Sequence, residues 1–156
     1  MSQVRAIEGN DPVKETDDVL AFAVKLGRFD CAAIYIFVSG QLARGKYRLV
    51  EEYQNQNKYL SAFDELKDSV TKKYGAPNED RTYWLNDLYR DDFSEWGMAV
   101  SCGHLSKFAS WDTEESFITV GILGENFDVT VGVEYSGKAF AALEDKLKED
   151  ALLEDL

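Results

Sequence analysis

His104 is the only histidine in the chain, and Cys102 stands two positions before it. A thiol beside an imidazole is the pairing used in nucleophilic catalysis, so any Cys-His or Ser-His-Asp chemistry must draw on His104. On a strand, residues two apart share a face only while the strand continues, and Gly103 between them interrupts it. A working nucleophile also needs its base held by an orienting group. The pair therefore reads as a turn histidine near a cysteine. No catalytic residue is expected, and an enzyme built on Cys102 and His104 is the minor alternative.

The stretch Asn86-Asp87-Leu88-Tyr89-Arg90-Asp91-Asp92-Phe93-Ser94-Glu95 holds the densest set of oxygen ligands. A calcium loop wraps about six to eight oxygens around the ion at regular spacing. This stretch lacks the Asp-x-Asp-x-Asp-Gly order and carries Arg90 in its middle, so it reads as a solvated loop with an Arg–carboxylate contact. Gly121-Ile122-Leu123-Gly124 lies between strand residues and opens no helix, which leaves it without the context of a phosphate cradle. Cys31 and Cys102 are far apart and in no Cys-x-x-Cys spacing, so zinc is not expected. They read as two buried free thiols, with a disulfide open to them only in an oxidising compartment. No metal and no cofactor is expected.

The aromatic residues are the remaining candidates for function. Trp84, Trp96 and Trp111, with Tyr35, Tyr47, Tyr83 and Tyr89, form a large set for 156 residues. Most belong to the core, because aromatic rings carry the largest apolar area per residue. Rings on a sheet face turned away from the helices would instead suit a protein partner. Trp96 and Trp111 are the candidate protein-binding anchors, since both fall in expected strands beside turns. Seventeen basic against 29 acidic residues give a formal charge of −12. That field disfavours nucleic acid and anionic membrane surfaces and favours a protein partner with a basic surface. Its plainest use is solubility. Oligomeric state is not legible.

These residues must be positioned by a chain that is 45% apolar and 13% aromatic, enough for a core, with no apolar run long enough to span a membrane. Alternation marks strands at Leu20 to Leu26, Phe29 to Val38 and Leu42 to Val50, with turns at Gly27-Arg28 and Ser39-Gly40. The second is apolar on both faces and reads as a central strand. After a polar linker from Glu51 to Asn57, Tyr59, Phe63, Leu66, Val70 and Tyr74 form one stripe at helical period. Lys72 and Lys73 suit the end of that helix, Gly75 stops it and Pro77 prevents its continuation. Strands are then expected at Thr82 to Leu85, over the alternating Trp96, Met98, Val100 and Cys102, and at Leu105 to Trp111. A final hairpin runs from Phe117 to Leu123 and Phe127 to Tyr135 around Gly124-Glu125-Asn126. A short helix carrying Val4 and Ile7 is expected at the start, and a closing helix from Lys138 to Leu156.

The expected fold is α+β: two layers, a mainly antiparallel meander sheet packed by helices, in one compact domain over residues 1–156. The helix exits Val4-Arg5-Ala6-Ile7-Glu8-Gly9-Asn10-Asp11-Pro12 and Val70-Thr71-Lys72-Lys73-Tyr74-Gly75-Ala76-Pro77 are alike. They admit two readings: tandem α-β-β-β repeats over 1–56 and 57–137 followed by the terminal helix 138–156, or stop signals common to unrelated helices.

With Val4, Ile7, Gly9 and Pro12, then Phe37, Gly40 and Leu42, and again Val70, Tyr74, Gly75 and Pro77, the layout resembles two groups. They are the small outer-membrane lipoproteins of the SmpA/OmlA type and the tandem-repeat fold of the β-lactamase inhibitor proteins. The resemblance implies a two-layer α/β fold in a group whose members mostly bind proteins, and it transfers no binding residue. The N-terminus has no signal-peptide layout and no lipid-accepting cysteine, so the chain reads as cytoplasmic. The alternative is an envelope component whose export signal is absent from this sequence. The expected function is a non-catalytic protein-binding module.

Overall fold

Two meanders share one antiparallel sheet. The computed structural model describes residue 12 and residues 14–138. The first meander comprises β1 (Lys14–Glu15), β2 (Val19–Leu26), β3 (Phe29–Val38) and β4 (Gln41–Leu49). Helix α1 (Asn57–Tyr74) then carries the chain to the far edge of the sheet. There β5 (Glu79–Trp84), a 3-10 turn at Phe93–Glu95 and the short helix α2 (Trp96–Ser101) lead into β6 (Leu105–Asp112), β7 (Ser116–Glu125) and β8 (Asp128–Gly137). The strand order is β1-β2-β3-β4-β8-β7-β6-β5, so the second meander returns until β8 pairs with β4. The fold is therefore α+β with an antiparallel meander sheet, as the alternation predicts.

Hairpin geometry follows residue type. Ser39 and Gly40 both take positive φ, the type I′ pattern that matches strand twist. Gly27 alone takes positive φ in the β2–β3 turn. In α1, Leu60, Phe63, Leu66 and Val70 are buried against β7 and β8, and the helix stops at Gly75, whose N–H donates to the Thr71 carbonyl at 2.8 Å. Phe29, Cys31 and Leu49 from the first meander join Val120, Ile122, Val131 and Val133 from the second in the same core. Alternate strand residues point the other way, and no described helix lies on that face.

Two local expectations fail. Trp96 to Cys102 is not a strand. Trp96–Ser101 is helical, and its small residues Gly97, Ala99 and Ser101 are buried together with Val100. A Cβ at Gly97 would fall on the backbone of Gln56 and Asn57, so close approach to the start of α1 selects glycine there. Large residues alternating with small ones imitate the strand period. The last hairpin also turns later than expected, at Asn126 and Phe127, both with positive φ. Gly124 belongs to β7, and a Cβ there would strike the Val100 carbonyl, so packing against α2 selects this glycine and turn formation does not.

The two meanders differ in content, since only the second carries a helix between its first two strands. The expected helix around Val4 and Ile7 and the one from Lys138 to Leu156 lie outside the described residues, apart from Lys138 itself. Among the described residues no helix is long and apolar enough to cross a membrane.

Candidate functional site

The loop from Leu85 to Glu95 projects apolar side chains into solvent while its backbone is tied down. Leu85 is 84% exposed, Leu88 70% and Phe93 66%. The Leu85 N–H donates to the His104 carbonyl at 2.7 Å, which fixes the loop as it leaves β5. Asn86 Oδ1 accepts from the Leu88 N–H at 3.0 Å, an Asx turn. The Arg90 N–H donates to the Asp87 carbonyl at 3.1 Å, and the Arg90 guanidinium donates to Asp87 Oδ1 at 3.2 Å. This is the Arg–carboxylate contact expected of the acidic stretch. Asp92 Oδ1 accepts from the Ser94 N–H at 3.1 Å and the Ser94 hydroxyl at 2.6 Å, capping the 3-10 turn.

Trp96 closes the loop from beneath. Its Nε1 donates to the Arg90 carbonyl at 3.0 Å. The ring lies edge-on to Trp84 at 5.3 Å between centroids and tilted against Phe93 at 5.0 Å. The Lys107 ammonium sits 5.5 Å over the Trp96 ring, and the Arg90 guanidinium 5.8 Å from the Trp84 ring. Asn57, the first residue of α1, pins this assembly to the core. Its Nδ2 donates to the Phe93 carbonyl at 3.1 Å, and its Oδ1 accepts from the buried Gly97 N–H at 2.6 Å. The result is a loop crest that exposes Leu85, Leu88 and Phe93, carries Asp87, Asp91, Asp92 and Glu95 in the same stretch and rests on a partly buried tryptophan.

The other expected site residues lie elsewhere. Trp111 is 2% exposed, and its Nε1 donates to the Gly75 carbonyl at 2.8 Å, locking β6 to the end of α1. A ring in that position offers no surface to a partner. Cys102 follows the last turn of α2, and Cys31 is buried in the core; both thiols are free. Burial, then the nearby Glu51 and Asp30, push the Cys31 thiol above the usual range. His104 stacks on Tyr89 at 5.8 Å, and its Nδ1 is buried with no hydrogen-bond partner among the described residues. Gly103, with φ of 80°, separates it from Cys102. Among the described residues no group of three or more His, Cys, Asp and Glu side chains is placed to hold a metal ion.

Sequence reasoning missed Leu85, Leu88 and Phe93 as surface, although it singled out their acidic neighbours. It also missed a tyrosine-lined cleft between α1 and β4 and β8, where Tyr47, Tyr74 and Tyr135 meet beside Lys73. Burial, then the Tyr74 and Tyr47 hydroxyls, push the Tyr135 phenol above its ordinary value. Compared with protein-family models, curated proteins and solved structures, the chain matches none.

Proposed function

We propose that the protein is a non-catalytic binding module whose contact surface is the 85–96 loop. The observation that carries this reading is the crest itself: three large apolar side chains, each about two-thirds exposed or more, on a backbone held by its own hydrogen bonds. Exposed apolar surface costs solvation, and a loop selected only for folding would carry polar residues there. Because the crest is ordered before contact, binding loses little conformational freedom, which is the benefit of preorganisation. Trp96 supplies a partly buried ring packed by Trp84 and Phe93, and the loop carboxylates select a partner with an apolar centre and a basic rim.

The chemistry around Cys102 supports an enzyme less well. Reactive thiolates are favoured near helix N-termini and cationic groups, whereas Cys102 stands at the C-terminal end of α2. The test is affinity capture from the source cell with folded bait, comparing wild type with Leu88→Asp and Phe93→Ala. Both side chains are largely exposed, so the melting temperature is expected to hold while the partner is lost. Capture of the same partner by both variants would refute the loop as the contact surface.

A further inference from the structure

On the sheet face opposite α1 and α2, one row of paired residues runs across five strands: Arg48, Gly132, Gly121, Phe108 and Arg81. The two glycines are direct partners, so the row has a floor of bare backbone between side-chain walls. A Cβ at Gly132 would come within 2.7 Å of the Tyr47 carbonyl, and one at Gly121 within 3.0 Å of the Phe108 ring. The trough above them is about 400 Å³, with Phe108 and Leu123 on its apolar side and Lys46, Arg48 and Glu134 on the other.

The cationic wall runs against the charge of the whole molecule. In a chain of net charge −12, the residues of β4 that point to this face are Arg44, Lys46 and Arg48. Glu134 answers two of them, with Arg44 at 3.4 Å and Lys46 at 3.8 Å. Arg48 is exposed and makes no ion pair among the described residues. An uncommitted guanidinium stands at one end of an apolar, glycine-floored trough.

We infer that this trough binds an extended acidic peptide segment of a partner protein, with a carboxylate on Arg48 and an apolar side chain laid over Gly132 and Gly121 against Phe108. From Arg48 to Phe108 the row crosses three strand spacings, roughly 14 Å, which an extended peptide of about four residues covers. A guanidinium receives a carboxylate with two parallel hydrogen bonds, giving direction as well as charge. A nucleic acid strand would bring one phosphate per nucleotide against a single uncommitted cation inside a strongly negative field. Charge complementarity therefore selects a peptide bearing spaced carboxylates and apolar residues. This site is distinct from the 85–96 loop and prefers the opposite sign of partner.

The test uses the hexapeptide (Glu-Leu)3 as probe, followed by amide chemical shifts of the isotope-labelled protein. Saturable shifts are expected at Arg48, Gly121 and Gly132, with affinity at least ten-fold weaker in Arg48→Glu and in Leu123→Glu. The second variant keeps the test decisive if the first folds poorly. The peptides (Lys-Leu)3 and (Glu-Ser)3 are expected to leave these amides unmoved, as the first lacks the carboxylates and the second the apolar side chains. The inference is overturned by any of three results: no saturable shift with (Glu-Leu)3, undiminished affinity in the two variants, or stronger binding of an oligothymidylate at the same amides. Leu88→Asp, which tests the loop, is expected to leave (Glu-Leu)3 binding unchanged.

Discussion

Asn57 is the point at which a single side chain connects the core to the proposed contact loop, and truncating it has a calculable effect. Asn57→Ala removes the acceptor of the Gly97 N–H and the donor to the Phe93 carbonyl. Gly97 is buried where α2 meets α1, and leaving its N–H without this acceptor costs about 1–3 kcal/mol. The Phe93 carbonyl lies on the exposed loop, where water restores much of the bond, and its loss costs roughly 0.5 kcal/mol. Alanine is the better helix former by about 0.6 kcal/mol, which offsets part of this. The expected net loss is about 2 kcal/mol, a fall in Tm of roughly 4–8 °C for a chain of this size. Asn57→Asp is the informative comparison, because it keeps an oxygen toward Gly97 and loses only the bond to Phe93. Urea unfolding followed by tryptophan fluorescence measures both, with Trp96 next to the perturbed contact. If Asn57→Ala unfolds within 0.5 kcal/mol of wild type, or if Asn57→Asp is the more damaging change, the assignment of Asn57 as the pin is wrong.

Two further outcomes follow from local geometry. Phe127 is 69% exposed and holds a φ of 67°, a conformation that glycine adopts freely and other residues do not. Phe127→Gly is therefore expected to be more stable than Phe127→Ala by about 1 kcal/mol in thermal melts, the reverse of the ordinary order within a strand. The thiols should separate in a labelling time course, with Cys102 modified well before the buried Cys31. Because the folded-state pKa of Cys31 is raised, its contribution to stability is present below the ordinary thiol range and declines as pH rises through the shifted value. Alkaline melts of Cys31→Ala against wild type check this: the variant should lose less stability across that range.

How legible each part was depended on whether one residue type could do only one thing. The stripe Phe63, Leu66 and Val70 can be buried only by a helix lying on a sheet, and it is. Ser39-Gly40 can close a two-residue hairpin, and it does. The failures come from residues with two uses. Gly97 and Ala99 let α2 approach α1, yet between large neighbours they read as the outward face of a strand. Gly124 has the composition of a turn but is small because Val100 is close. The tryptophans were ambiguous for the same reason. Trp96 and Trp111 have identical chemistry, and what separates them is the carbonyl that each indole N–H reaches, Arg90 on the loop or Gly75 beneath the sheet. Leu85, Leu88 and Phe93 look like core residues until the Asx turn at Asn86 and the cap at Asp92 turn them outward. No hydrophobic period encodes that outcome.

Net charge is the quantity that sequence gives most directly, and it describes the two proposed surfaces unequally. At low salt, where the Debye length reaches about 30 Å at 0.01 M, a ligand approaching from a distance meets the field of −12. A basic-rimmed partner for the loop is attracted both by that field and by Asp87, Asp91, Asp92 and Glu95, so the two effects add. Its association should slow steeply as salt rises. An acidic peptide approaching the trough is repelled by the distant field and attracted by Arg48 only at contact, so the two effects oppose each other. Salt screens the distant repulsion more completely than a hydrogen-bonded contact a few ångströms long. Association of (Glu-Leu)3 should therefore change little between 20 and 300 mM salt, roughly two-fold or less, or become faster. Stopped-flow measurement with a fluorescent probe peptide decides it. A steep loss of association rate with salt would mean that the peptide is attracted from a distance, which the charge distribution around Arg48 does not allow.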